Sequence, residues 1–207
     1  MNFLKYDSPF MKKLNMIVDY FFLGLLWLVT SIPVITFGAA TTAAFFTAEK
    51  SIHKENGKML STFRKSFCKE FKQATLLWVI ELVLIVVWVV NAFLLRNIEV
   101  NDFIYVLLLL ALLIELGWIQ LWFAYLSKFN DCIKVLLGNT FRITIGKFPI
   151  VLLLTLISVI AIVGFVVALI YISPLPLFIP GIYLFLVGSV FRKIFKEYLP
   201  LDTTEDT

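Results

Sequence analysis

Four stretches of this chain stay apolar for about the thickness of a bilayer, and that limits its fold more than any other feature. Residues 74–95 carry a single charge, Glu81, and residues 103–126 a single one, Glu115. Residues 149–172 and 174–191 carry none. A helix needs about 20 such residues to cross the hydrocarbon layer. A soluble domain is also about a quarter charged, whereas this chain is 15% charged and 61% hydrophobic, with a mean hydropathy of +0.96. The expected fold is an all-α membrane protein. One membrane domain over 1–207 holds a polytopic bundle of five to six membrane segments.

The count turns on residues 16–50. After "LLWLVTSIP" the large aliphatics give way to Gly, Ala, Thr and Phe. Pro33 cannot donate to the preceding turn and pushes Ile32 out of the α region. A Pro-broken hairpin is therefore expected, with limbs of about 16–32 and 34–50, each roughly 25 Å of helix. Gly38 and Ala40 suit the second limb to close packing, because small residues let helix backbones approach. Charge supports the return. Cytoplasmic loops collect Lys and Arg, and a hairpin puts every one of the eighteen basic residues except Arg96 on one side. Both termini, 1–15 and 192–207, are then cytosolic. A second limb that re-enters without crossing is the alternative. Apolar character from Met16 past residue 37 outlasts the roughly 7–15 residues of a signal core, so this stretch is read as retained.

Residues 51–73 form a basic amphipathic cytosolic segment. Phe63, Phe67 and Phe71 recur every fourth residue and line one helical face, while Arg64, Lys65, Lys69 and Lys72 fill much of the rest. Such a helix lies in an anionic headgroup layer or lays its aromatic face on a partner. The docking reading uses Phe63, Arg64, Phe67, Lys69, Phe71 and Lys72. Thr140-Phe141-Arg142 echoes Thr62-Phe63-Arg64 and suggests a duplicated unit, although shared membrane-entry chemistry explains the echo as well.

Ionisable groups inside a membrane are functional candidates by default. Glu81 lies roughly 10 Å from the inner start of its helix and Glu115 roughly 18 Å from the outer start of the next. Antiparallel helices bring both acids near mid-depth, where they share a proton or meet a polar partner, or bond to a carbonyl or Gln120. Cys68 and Cys132 sit in polar connections without metal-ligand spacing, and His53 is the single histidine. No phosphate loop, nucleophile elbow or zinc-binding helix motif occurs. No enzymatic activity, cofactor, metal site or nucleic-acid partner is expected.

At "SIPVITFGAATTAAFFTAEK" and "TFRKSFCKEFKQATLLW" the chain resembles the YesL family of integral membrane proteins of Gram-positive bacteria. Pro33, Thr36, Gly38 and Ala40 carry one pattern, and Phe71, Lys72, Gln73 and Ala74 the other. The resemblance implies a bacterial cytoplasmic-membrane protein without established catalysis, whose genes lie beside those for carbohydrate ABC importers and glycan-degrading enzymes. The expected function is a non-catalytic accessory or regulatory subunit for oligosaccharide uptake, touching the permease pair and possibly its ATPase. Two alternatives stand: a secondary transporter using Glu81 and Glu115, and a membrane sensor controlling sugar-utilisation genes.

Overall fold

A computed structural model describes residues 9–53, 58–95, 101–171 and 174–197. Seven α-helices follow in order: α1 (Pro9–Ser31), α2 (Phe37–Thr47), α3 (Met59–Leu95), α4 (Asp102–Leu126), α5 (Ile133–Gly146), α6 (Phe148–Ile170) and α7 (Ile179–Lys196). Among the described residues there is no strand. Five helices are long and apolar enough to cross a membrane: α1, α3, α4, α6 and α7 with the short turn before it.

The hairpin forms where the proline requires it. α1 stops at Ser31, Pro33 is extended (φ −72°, ψ 111°), and a short 3-10 turn, Val34–Thr36, leads into α2. The Thr36 hydroxyl donates towards the Thr30 and Pro33 carbonyls, at 2.6 and 2.7 Å, and ties the end of α1 to the turn. The second limb is not one helix. α2 has only 11 residues, about 16 Å, before a π-helical stretch, Ala48–His53. Nine of those 11 residues are buried, among them Gly38, Ala40, Ala43 and Ala44. α2 is thus a small-residue wedge at the centre of the bundle, packed between α1, α3 and α4.

Its neighbours show how far the wedge reaches. Trp27 Nε1 donates to Thr41 Oγ1 at 3.0 Å, and Trp78 Nε1 donates to the Val34 carbonyl at 2.6 Å. Phe37 packs on the Trp78 ring, with centroids 4.6 Å apart. A Cβ on Gly38 would meet the Ala74 carbonyl oxygen at 2.6 Å, with Trp78 Cβ and Phe123 Cε1 each at 2.9 Å. The hairpin turn is therefore level with Trp78, and α3 continues beyond it for about 25 Å. α4 also reaches the far end of α3, where the Tyr105 hydroxyl donates to the Leu95 carbonyl at 3.2 Å, so the hairpin turn stops short of the far ends of α3 and α4.

α3 runs unbroken across residues 73 and 74. The amphipathic segment and the apolar one form a single helix of 37 residues, about 55 Å, because Met59–Leu95 contains neither Gly nor Pro to break it. The proposed repeat also fails structurally. α5 ends at Gly146, and Lys147 (φ −123°, ψ 33°) separates it from α6, whereas α3 passes straight through the equivalent point. Phe63 is buried and Phe141 exposed.

Small residues set the other close contacts. Gly24 of α1 and Gly181 of α7 face each other: a Cβ on Gly24 would lie 2.5 Å from the Gly181 nitrogen. Gly117 of α4 lets Val151 and Thr155 of α6 approach, and the Thr155 hydroxyl donates to the Leu113 carbonyl at 2.9 Å. The Asn101 side chain accepts from the Phe103 amide at 3.1 Å and caps α4.

Candidate functional site

Several of the basic residues expected to share a side gather at one end of the bundle. Lys50 follows α2, Lys58, Lys65 and Lys69 occupy the start of α3, and Lys128 follows α4; all five border one cleft of about 450 Å³. Glu49 ties this end together, with Oε1 3.7 Å from Lys128 Nζ and Oε2 3.6 Å from Arg192 Nε of α7. Lys69 bridges to Asn130 Oδ1 at 2.5 Å and to Glu70 Oε1 at 3.0 Å. Gln73 donates to the Asp131 carbonyl at 2.7 Å, and the Tyr125 hydroxyl donates to Asp131 Oδ2 at 2.5 Å. The 127–131 connection is thereby pinned to α3. Lys5, Lys54 and Arg96 lie outside the described residues, as do 1–8 and 198–207 of the expected cytosolic tails.

The phenylalanine stripe has an intramolecular use. Phe63 is 3% exposed within the core, and Phe67 and Phe71 are half-buried against the same cluster. Their rings run in series, with centroids 6.1 and 5.5 Å apart. Arg64, Lys69 and Lys72, together with Lys65, remain exposed. Of the six residues read as a docking surface, the cationic three are the ones still turned outward.

Glu81 and Glu115 are brought together, as the antiparallel run of α3 and α4 requires. Their carboxyls lie within electrostatic range of each other. Glu81 is buried, and its Oε2 has no hydrogen-bond partner among the described residues. Glu115 is half-buried and accepts a hydrogen bond from Trp88 Nε1. Gln120 takes no part. It donates to the Leu116 carbonyl at 3.0 Å and accepts from the Tyr183 hydroxyl at 3.3 Å. Trp88, one apolar residue among many in the sequence, carried no signal of this role.

Among the described residues, no group of three or more His, Cys, Asp or Glu could hold a metal ion. Cys68 and Cys132 are exposed free thiols.

The helices and their apolar surfaces define a multi-pass membrane protein. Residues 20–92, from α1 through the wedge to near the end of α3, match the family model described as Protein of unknown function, DUF624. Over this part, about a third of its length, the chain is similar to that family, which is consistent with the resemblance to the YesL family. No curated protein and no solved structure matches it.

Proposed function

We propose that this protein is a non-catalytic accessory or regulatory subunit of a carbohydrate ABC importer, in the bacterial cytoplasmic membrane with its basic end and both termini cytosolic. The observation that carries the reading is the bare far half of the bundle. Val83, Val86, Val89 and Phe93 of α3, and Phe103, Val106 and Leu109 of α4, are all more than half exposed. Lipid covers such surfaces, and so do the helices of a permease pair. The resemblance to the YesL family supplies the importer as the partner class, and exposed Arg64, Lys69 and Lys72 suit contact with the permease or its ATPase at the cytosolic face. Detergent co-purification with the intact permease pair tests the proposal; a protein that elutes alone while the importer holds together contradicts it.

The proximity of Glu81 and Glu115 favours a second reading, a secondary transporter. It requires solute flux in liposomes that is lost when both are changed to Gln. No flux from a competent preparation removes it.

A further inference from the structure

We infer that the basic cleft binds the phosphate group of an anionic ligand. Its walls are Phe46 of α2 and Lys50 of the π-helical stretch, the first three turns of α3, and residues 126–130. Among the described residues that line the cleft, the five lysines face one carboxylate, Glu70, which Lys69 holds at 3.0 Å, while Lys128 is also paired with Glu49 at 3.7 Å from outside the lining. Among the described residues, Lys58 and Lys65 form no ion pair. Ammonium groups crowded around one concavity repel one another, and an entering anion relieves that repulsion.

Two further features specify which anion. Ser61, Thr62 and Ser66 add hydroxyl donors to the ammonium groups, a set suited to the several oxygens of a phosphate rather than to one carboxylate. Ser61 and Thr62 also lie in the first turn of α3, a 37-residue helix whose amino end carries the positive end of its dipole. A volume of about 450 Å³ exceeds inorganic phosphate and lies in the range of small-molecule sites. The ligand class is therefore a phosphate ester, either soluble or the headgroup of an anionic phospholipid.

The whole chain in neutral detergent, titrated with pyrophosphate and with glycerol 3-phosphate at constant ionic strength, tests the soluble source. Nanodiscs of phosphatidylcholine with or without phosphatidylglycerol test the headgroup, read as a shift in Tm. Lys58→Gln with Lys65→Gln removes two charges without breaking an internal ion pair, so the ligand-free Tm should stay unchanged. Binding should weaken by about tenfold or more, as expected for lost charged hydrogen bonds. Lys134→Gln with Arg142→Gln, exposed on α5 away from the cleft, should leave it intact. Saturable binding in the first arm identifies a soluble ester, and stabilisation in the second arm alone identifies a lipid headgroup. The inference is overturned if neither arm responds, if the cleft variant binds as well as the parent, or if the α5 variant weakens binding equally.

Discussion

The two ends of α4 contrast the two halves of the molecule. Residues 119–127 are buried all round, including Leu121, Trp122, Phe123 and Leu126 at no more than 2% exposed, whereas Phe103 through Leu107 are all exposed. The exposed end is the more apolar of the two in sequence, since the buried end contains Gln120 and Ser127. The difference is α2. Where the Gly- and Ala-rich wedge fills the centre, α1, α3 and α4 pack on it from several sides. Above the level of Trp78 there is no wedge, and the long helices continue with one flank or more uncovered. In a membrane, hydropathy governs partition into lipid, and small residues decide where helices meet.

Overfilling the wedge should have the largest effect. Gly38→Val puts a branched side chain against the Ala74 backbone, which cannot move aside as a side-chain tip could. A loss of about 3 kcal/mol or more is expected, at the upper end of overpacking penalties, measured as a large fall in Tm in detergent. A change that leaves Tm unmoved would mean that α2 is not wedged against α3.

Smaller changes probe how the packed half is fastened. Trp78→Phe keeps the ring stack on Phe37 but removes the donor to the Val34 carbonyl. About 1 kcal/mol should be lost, with protease or cysteine-labelling access increasing near residues 31–36. Glu49→Gln takes the shared carboxylate from Lys128 and Arg192. Because Glu49 is about a third exposed, solvent limits the loss to about 1 kcal/mol, and it should shrink as salt is raised.

The smallest effect belongs to the open half. Val86→Ala with Val89→Ala should change stability by less than about 0.5 kcal/mol per site, since neither packs on the core. A larger loss in detergent would mean the surface is already covered, for instance by a second copy. If a permease helix covers it, co-purification should fall while Tm holds.

Much of this organisation was readable from residue types. Four charge-poor runs, the break at Pro33, the small residues after it and the one-sided cations correspond to the five long helices, the hairpin, the wedge and the basic end. Burial within amphipathic segments was less readable. The same four-residue Phe spacing describes a stripe laid on a partner and one laid on the protein's own core, and only the neighbouring helices distinguish them. The unbroken α3 did have a sequence signal, the absence of Gly and Pro from 59 to 95, but the composition change near residue 73 obscured it. Tertiary pairs such as Trp88 with Glu115 depend on how α3 and α4 cross, which no local pattern encodes. The basic cleft is similar: its lysines come from three separate segments that the wedge draws together.

A hairpin turn that stops short of the far ends of α3 and α4 is the claim on which the two halves rest, and cysteine accessibility in intact cells and inside-out vesicles tests it directly. In a Cys68→Ser, Cys132→Ser background, Lys12→Cys and a restored Cys68 should react with a membrane-impermeant maleimide from the same side. Asn101→Cys should react from the opposite side, and Val34→Cys from neither. Strong labelling of Val34→Cys from the side that labels Asn101→Cys would show a hairpin that spans the full membrane, and would contradict the account.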